Sequence, residues 1–264
     1  MTTRNARFQQ WQALLSNRTK RHRSGEFLVQ GVRPITMAVR HGWAVRALLY
    51  DSGRRLSRWA TDMLDGYEGE HVAMAGPLLA ELGGKTLGGT DEESPELVAV
   101  VATKPDDRSR IATAGALVVV LDRPTSPGNI GTVIRSADAF GASGVVVCGH
   151  AADIYDPKTV RASTGSLFAL PVVRAGSAAD VLSWARSGGL SVVGTDESAQ
   201  VDLVDHDLTP PTLLVVGNET TGLSSAWRDA CDQTVRIPIG GTASSLNAAT
   251  ATGIVLYEAA RQRR

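Results

Sequence analysis

The chain has 264 residues, of which 43% are hydrophobic, and its formal net charge is zero, so it can hold one large or two smaller domains with a substantial core. No apolar run approaches the roughly 20 residues of a membrane span, and the first residues lack the apolar segment of a secretory signal. Two cysteines without a zinc-ligand pattern argue against a disulfide scaffold or a metal site and favour a reducing, cytoplasmic setting.

The charge is unevenly distributed along the chain. Residues 1–60 carry 12 Lys/Arg against two acidic residues, a net charge of +10, whereas residues 61–110 carry −7 and the remainder −3. A basic segment of this kind is the electrostatic footprint expected of a protein that binds a nucleic-acid backbone. A solvated charged surface with no partner is the alternative that charge alone leaves open.

The first hundred residues alternate between predicted helices and strands. An amphipathic helix is predicted within residues 5–23, because Phe8, Trp11 and Leu14 recur at helical spacing and a basic run follows them. Further strands and helices are predicted, with strands at 26–31, 45–50, 71–73 and 97–101 and helices at 33–41 and 55–65. The polar, Pro-containing residues 103–114 have linker composition, which places a domain boundary near residue 105.

The rest of the chain predicts a mostly parallel sheet. Apolar strands are expected at 116–121, 145–148, 171–173, 190–194 and 213–216, and a short strand is expected to end at 236–239. Helices are predicted from about Asn129 to Phe140 and from Ala248 to Ala260. Polar, Gly-containing turns follow the strands that end at residues 121 and 216. Such turns are where open α/β sheets bind their ligands.

Three segments of this half have a distinctive composition. PGNIGTVIRSADAFGA (127–142) opens a helix whose apolar stripe faces the sheet, so Arg135 points away from the core. GNETTGL (217–223) follows an apolar strand, and IPIGGTASSLN (237–247) precedes an Ala-rich helix. No GxGxxG follows a predicted strand, so a dinucleotide site of the Rossmann type is not indicated.

In this order and spacing the segments resemble the signatures of the SpoU/TrmH family, RNA 2′-O-ribose methyltransferases of the SPOUT class. Ser126 stands where that family usually has Asp, but the Asn and Arg of the segment are in place. The residues before the boundary resemble the L30e-like RNA-binding domain found in many members, with FLVQG (27–31) where the family usually has FLVEG.

The resemblance extends over nearly the whole chain and implies a two-domain α/β fold. An L30e-like substrate-binding domain would span residues 1–105, with a linker to about 114. A SPOUT methyltransferase domain with a C-terminal trefoil knot would span residues 106–264. Nothing in the periodicity of the sequence predicts a knot, so this expectation rests on the resemblance alone.

The resemblance also implies a homodimeric enzyme that transfers a methyl group from S-adenosylmethionine to a ribose 2′-hydroxyl, with ribosomal RNA as the favoured substrate. The implied catalytic residues are Asn129, Arg135, Glu219, Ser245 and Asn247. The implied cofactor-binding residues are Gly194, Thr195, Gly217, Asn218, Ile237 and Leu246. The basic run provides the candidate RNA-binding residues Arg18, Lys20, Arg21 and Arg23, although cations there also suit a helix C-terminus. The further candidates are Arg33, Arg161 and Ser163.

Each assignment has a purely structural alternative. Asn129, Ser245 and Asn247 could cap helices, and Glu219 could be an exposed acid in a turn. A guanidinium is a poor general base, because its pKa exceeds about 12, but it suits bidentate binding of a phosphate, so the protonation role of Arg135 stays open. A tRNA ribose methyltransferase and a non-catalytic RNA-binding protein are the alternative functions. The presence of Arg135, Asn129 and Asn247 disfavours the second of these.

Overall fold

The structure, a computed structural model, describes residues 1–84 and 94–264. Contacts divide the chain into two compact units. The N-terminal unit comprises Met1–Lys104 together with Tyr155–Ala169, and the C-terminal unit comprises Pro105–Ile154 together with Leu170–Arg264. No helix in the described ranges combines the length and the hydropathy needed to cross a bilayer.

Helices and strands alternate along most of the chain, as the hydrophobic pattern predicts. The helices are α1 (Ala6–Ser16), α2 (Arg18–Ser24), α3 (Val32–Arg40), α4 (Arg58–Asp65), α5 (Gly76–Leu82), α6 (Pro127–Ala139), α7 (Pro157–Ala162), α8 (Ser166–Ala169), α9 (Ala178–Ser187), α10 (Ser225–Arg228) and α11 (Ala248–Gln262). The strands are β1 (Glu26–Gln30), β2 (Val45–Asp51), β3 (Glu70–Met74), β4 (Leu97–Ala102), β5 (Leu117–Asp122), β6 (Gly144–Cys148), β7 (Val172–Ala175), β8 (Ser191–Thr195), β9 (Val201–Asp202), β10 (Thr212–Val216) and β11 (Gln233–Arg236).

Two predicted elements end differently in the structure. The helix predicted over residues 5–23 is two helices, because the side chain of Asn17 accepts a hydrogen bond from the Lys20 amide and caps the start of α2. The strand predicted to end at 236–239 ends at Arg236. Pro238 has no backbone N–H to donate to a sheet, so the pairing cannot continue through it.

The N-terminal unit contains a four-stranded sheet in the order β1-β4-β2-β3, in which β4 is antiparallel to both of its neighbours. An aromatic cluster closes its core. The ring centroids of Phe27 and Tyr155 lie 4.6 Å apart, and those of Trp43 and Phe168 lie 5.1 Å apart. The indole N–H of Trp43 also donates to the Phe168 carbonyl at 2.9 Å.

The aromatic cluster therefore joins residues that are far apart in the chain. Tyr155 and Phe168 belong to a segment that lies between β6 and β7 in the sequence but packs within the N-terminal unit. Composition placed a boundary near residue 105, which stays a prediction about domains. The burial of Tyr155 and Phe168 adds that the apolar core of the first unit is completed by a later piece of chain.

The C-terminal unit contains a seven-stranded parallel sheet in the order β7-β6-β5-β10-β8-β11-β9. Side chains of β5, β6, β8 and β10 pack in one buried cluster with Val181 and Ala185 of α9 and with Trp227 of α10. Helices α6 and α11 pack against each other. Because every strand runs in the same direction, all the carboxyl ends meet at one edge of the sheet, where loops can assemble a site.

The end of α11 is held at the amino ends of the central strands β5 and β10. The guanidinium of Arg263 donates to the carbonyls of Leu208 at 2.7 Å, Pro210 at 2.6 Å and Gly115 at 3.1 Å. These residues precede β10 and β5. Arg263 therefore binds backbone carbonyls at the start of two central strands and holds the last helix against the sheet.

We predict that Arg263→Ala lowers the free energy of unfolding by about 1–3 kcal/mol, because several carbonyls lose their donor. Urea unfolding would measure the loss. Arg264→Ala is the matched control, since Arg264 is the next residue and is exposed. Equal stability of the two variants would contradict the role assigned to Arg263.

Candidate active site

The first segment of the candidate site begins where α6 begins. The helix starts at Pro127, and the Ser126 hydroxyl accepts from the Asn129 amide at 3.3 Å as its N-cap. The alternative in which Asn129 itself caps the helix is therefore wrong. Because the backbone of Asn129 is already capped, its side-chain amide is free to contact other segments.

The Glu219 carboxylate is the centre of the candidate site. One oxygen accepts from the amide and the hydroxyl of Thr125, both at 3.1 Å. The other accepts from the Ser126 amide at 3.2 Å and from Nδ2 of Asn129 at 3.1 Å. Four donors from one loop and helix start thus converge on a single carboxylate from another turn.

Burial of Glu219 favours its neutral form, but the hydrogen bonds it accepts, from its own amide and from Thr125, Asn129 and Ser126, outweigh this effect. The pKa of Glu219 therefore lies below its ordinary value of 4.5. The carboxylate is ionised at neutral pH, and a charged acceptor makes stronger hydrogen bonds than a neutral one.

Asn247 brings the third segment to the same place. Its Oδ1 accepts from the amides of Ala249 at 2.9 Å and Thr250 at 3.3 Å, so it caps α11. Its Nδ2 donates to Oδ1 of Asn129 at 3.2 Å. Because Asn129 donates to a carboxylate through Nδ2, its Oδ1 is the atom left to accept. A line of hydrogen bonds thus runs from Asn247 through Asn129 to Glu219.

Arg135 and Ser245 flank this line without joining it. Arg135 follows Asn129 by six residues on α6, about 9 Å further along the helix axis. Its side chain is exposed, and within residues 1–84 and 94–264 it has no hydrogen bond or ion pair. Ser245 is exposed in the loop before α11. A solvent-exposed guanidinium without an internal partner is available to bind an anion.

The predicted cofactor residues lie at the carboxyl ends of three neighbouring strands. Gly194 and Thr195 end β8, Gly217 follows β10 and Ile237 follows β11, and β10-β8-β11 are consecutive in the sheet. Leu246 is 37% exposed in the loop before α11. Apolar side chains beside backbone groups at strand ends fit the face and edge of a purine, so these residues suit an adenosine-containing cofactor.

The glycines of this region also have structural roles. A Cβ at Gly217 would lie 2.4 Å from the carbonyl carbon of Gly222, so the close approach that Gly217 permits is one between two parts of its own turn. A Cβ at Gly194 would lie 2.7 Å from Sγ of Cys231. Both positions exclude larger residues on packing grounds alone.

Asn218, predicted to bind the cofactor, also holds the turn together. Its backbone exchanges two 3.0 Å hydrogen bonds with Gly222. Its Oδ1 accepts from the amides of Thr220 and Thr221, and its Nδ2 donates to the Arg123 carbonyl at 2.7 Å. With both of its polar side-chain atoms engaged within the protein, Asn218 orders the turn that carries Glu219.

Two of the predicted RNA-binding residues are buried, which corrects their assignment. Arg21 is 2% exposed, and its guanidinium donates to the Leu14 carbonyl at 2.6 Å and lies 3.7 Å from the Asp156 carboxylate. Ser163 is fully buried and donates to the Val160 carbonyl at 2.8 Å. The remaining predicted residues are exposed in the N-terminal unit, namely Arg18, Lys20, Arg23, Arg33 and Arg161.

Sequence reasoning missed two of the three residues that donate to Glu219, Thr125 and Ser126. In the sequence, Ser126 is noted only as a departure from the family pattern. A serine directly before proline at a helix start is a typical N-cap arrangement, and this signal could have identified Ser126. Nothing local predicts Thr125, because its partner lies 94 residues away.

The side-chain chemistry of the described residues disfavours two other kinds of site. Burial raises the pKa of the Cys148 and Cys231 thiols to about 11, so neither is an activated nucleophile. The described ranges also contain no group of three His, Cys, Asp or Glu side chains placed to hold a metal ion.

The fold is α/β, with a parallel sheet at whose carboxyl edge two amide side chains are ordered, and an exposed arginine lies on the helix that carries one of them. The sequence profile of the SpoU rRNA Methylase family matches residues 116–257, and that of the SpoU L30e-like domain matches residues 5–99. The chain belongs to the SpoU rRNA methylase family, which confirms the resemblance seen in its three signature segments.

Known relatives extend over both parts of the chain. A 23S rRNA (uridine(2479)-2′-O)-methyltransferase from Streptomyces viridochromogenes is 59% identical over all of this chain and 92% of its own length. The SpoU methyltransferase AviRb from the same organism, solved in complex with AdoMet, superposes with a TM-score of 0.92 over 98% of each chain at 59% identity. An AdoMet-bound rRNA methyltransferase from Sinorhizobium meliloti superposes with a TM-score of 0.87 over 99% of this chain and 97% of its own length, at 30% identity.

We predict that Glu219→Gln lowers the free energy of unfolding by about 1 kcal/mol at neutral pH, because one oxygen becomes an NH2 group that faces two donors. The folded-state pKa of Glu219 is depressed, so the stability it contributes is present above its ordinary value of 4.5 and is lost as pH falls through the lowered pKa. The difference in Tm between wild type and variant should therefore shrink in acid.

Glu197→Gln serves as the control, since Glu197 is exposed in the same unit. Thermal unfolding of the three proteins between neutral and acidic pH makes the comparison. A constant difference between wild type and Glu219→Gln across this range would contradict an ionised, hydrogen-bonded Glu219.

Proposed function

We propose that this protein transfers the methyl group of S-adenosylmethionine to the 2′-hydroxyl of a ribose in ribosomal RNA. The observation that carries the proposal is the line of hydrogen bonds from Asn247 through Asn129 to Glu219. It joins the three segments that mark the family and places them beside Arg135. The 2′-hydroxyl is present in RNA and absent from DNA, so the chemistry itself limits the substrate class.

The proposed site has a cofactor half and a substrate half. Gly194, Thr195, Gly217, Ile237 and Leu246 would hold S-adenosylmethionine, which supplies an electrophilic methyl group on its sulfonium sulfur. Asn129 and Asn247 would position the ribose, because Glu219 and the start of α11 fix the orientation of their amides. Methyl transfer forms the O2′–CH3 bond, breaks the S–CH3 bond and releases the hydroxyl proton.

Arg135 would act on the substrate half of the site. Its guanidinium can bind the phosphate beside the target ribose and stabilise negative charge that develops on O2′. A guanidinium retains its proton at neutral pH, so positioning and charge stabilisation are the roles that its chemistry favours. Its exposure and lack of a partner within the described residues leave it available for both.

The substrate we propose is 23S ribosomal RNA, with a uridine as the target nucleotide. Support comes from the relative that is 59% identical along the whole chain and acts on a uridine of this RNA. A tRNA substrate is the alternative with the same chemistry. We also propose a cytoplasmic location, where ribosomal RNA is modified.

A homodimer and a C-terminal trefoil knot are further proposals that follow from membership of the family. An exposed apolar stripe on α11 supports the dimer, because Ile254 is 38% and Tyr257 53% exposed and Tyr257 packs edge-on to Phe140. Light scattering of the purified protein would test the dimer, and an experimental structure would test the knot.

We predict that Arg135→Ala reduces methyl transfer to 23S rRNA by about two to three orders of magnitude, the effect of removing one donor to developing charge. S-adenosylmethionine binding should change less than about twofold, because Arg135 belongs to the substrate half. Transfer of labelled methyl groups and calorimetric titration of the cofactor measure the two quantities. Arg264→Ala is the control for loss of an exposed arginine.

The RNA itself provides the decisive test of the function. Mapping of 2′-O-methyl groups in cells with and without the gene should reveal one ribose in 23S rRNA that depends on it. Reintroduction of wild type should restore that methyl group, and Arg135→Ala should not. A dependent methyl group in tRNA would favour the alternative, and no dependent methyl group would contradict the proposed function.

We further propose that the exposed basic residues of the N-terminal unit bind the RNA backbone. Buried Arg21 connects α2 to Asp156, whose carboxylate caps α7. Arg21 is therefore a positioning residue that keeps α2 next to α7. The exposed cations of these two helices lie on neighbouring elements as a result, and they are Arg18, Lys20, Arg23, Lys158 and Arg161.

We predict that the double variant Lys20→Ala/Arg23→Ala weakens RNA binding and reduces the slope of log K against log salt by about one for each lost phosphate contact. Filter binding of a 23S rRNA fragment at several salt concentrations measures the slope. Arg58→Ala is the control, because Arg58 is an exposed arginine of the same unit outside α2 and α7. An unchanged slope would identify α2 as a solvated charged surface.

A further inference from the structure

The residue that follows β5 has an unfavourable backbone conformation. Arg123 has a φ of +51°, in the left-handed region that side chains other than those of Gly, Asn and Asp rarely adopt. Its amide donates to the Cys148 carbonyl at 2.9 Å, so the neighbouring strand holds it in place. A strained residue beside a candidate active site is retained only when surrounding contacts stabilise it.

The side chain of Arg123 turns back onto the strand it leaves. Its Nε and Nη2 donate to the two carboxylate oxygens of Asp122, each at 3.1 Å. Nη2 also donates to the Gly222 carbonyl at 3.3 Å. Asp122 is buried at the end of β5, and its carboxylate accepts from the Ser224 amide at 2.8 Å as well. Asp122 and Arg123 thus hold the C-terminal end of the turn that carries Glu219.

The backbone of Arg123 holds the N-terminal end of the same turn. Its carbonyl accepts from Nδ2 of Asn218 at 2.7 Å. Arg123 therefore contacts residues on both sides of Glu219 in the turn, Asn218 through its backbone and Gly222 through its guanidinium. The three residues that donate to Glu219 follow Arg123 by two to six positions, so Arg123 connects the carboxylate and its donors.

We propose that Arg123 is a positioning residue for methyl transfer, acting through Glu219 on Asn129 and Asn247. The inference rests on the proposed function for its catalytic consequence, but the coupling between Arg123 and Glu219 is a property of the fold. Arg123 has a bidentate contact with Asp122 and a third with Gly222, a geometry that the single ammonium of lysine cannot reproduce.

The test uses three variants of the full-length protein. Arg123→Gly removes the guanidinium and also the backbone strain, since glycine adopts a positive φ readily. Arg123→Ala removes the guanidinium but keeps the strain, and Arg123→Lys keeps the charge. We expect Arg123→Gly and Arg123→Ala to lower kcat roughly ten- to a hundredfold, as misplacement of reacting groups does, with KM for RNA and cofactor changed less than about twofold. Arg123→Lys should lose less activity than these two variants but should not reach the wild-type kcat.

Arg186→Ala is the matched control. Arg186 also makes a bidentate contact with an aspartate, Asp232, at 2.6 and 2.8 Å, and donates to the Ala230 carbonyl at 3.0 Å. Asp232 in turn accepts from the Val192 amide at 2.7 Å. The pair lies at the start of β8 and not at the carboxyl edge of the sheet. Its loss should lower Tm and leave kcat unchanged.

A double-mutant comparison tests the coupling without relying on activity. Glu219→Gln should lower Tm in the wild-type background and by less than about half as much in the Arg123→Gly background, because the turn is already displaced. Equal Tm shifts in both backgrounds would overturn the proposal even if no RNA were methylated. Wild-type kcat in Arg123→Gly, or an equal loss of kcat in Arg186→Ala, would overturn it as well.

The two hypotheses fail in different ways. If wild type transfers no methyl group to RNA but the Tm shifts differ between backgrounds, the proposed function is wrong and the positioning of Glu219 by Arg123 stands. If wild type is active and the Tm shifts are equal, the proposed function stands and the positioning of Glu219 by Arg123 is wrong.

Discussion

The candidate site depends on one ionised carboxylate that four donors surround. Glu219 lies in the turn after β10, whereas Thr125, Ser126 and Asn129 lie between β5 and the first turn of α6. Strands β5 and β10 are neighbours in the sheet, so their parallel backbone pairing by itself brings the two loops side by side. The carboxylate then fixes Asn129, and Asn129 meets the cap of α11. Removal of charge from this point would loosen three segments together.

Two arginines elsewhere in the chain also connect separate elements. Arg21 orders α2 against the start of α7, and Arg263 holds the end of α11 to the chain that enters β5 and β10. Arg21 donates to the Leu14 carbonyl, and Arg263 donates to the carbonyls of Leu208, Pro210 and Gly115. In each case a cation that looks like a surface charge in the sequence is bound to the backbone of another part of the chain. Formal charge therefore overstates the basic surface that is open to a ligand.

The family resemblance and the buried strands could be predicted from the sequence, but the internal contacts of the site could not. The resemblance implied that Gly217 and Asn218 bind the cofactor. The structure adds that the backbone of Gly222 packs against Gly217 and that the Asn218 side chain closes its own turn. Hydrogen-bond donors and acceptors are the same chemical groups in both roles, so residue type alone cannot distinguish binding from turn formation.

The sequence by itself determined the alternation of helices and strands, the family and the three segments that carry the site, because hydrophobic period and segment spacing are local properties of the chain. Only the tertiary structure decided which polar groups meet. The contact of Arg21 with Asp156, the completion of the first core by Tyr155 and Phe168, and the four donors of Glu219 all join residues 90 or more positions apart. Such pairs follow from strand order and packing, which no local pattern encodes.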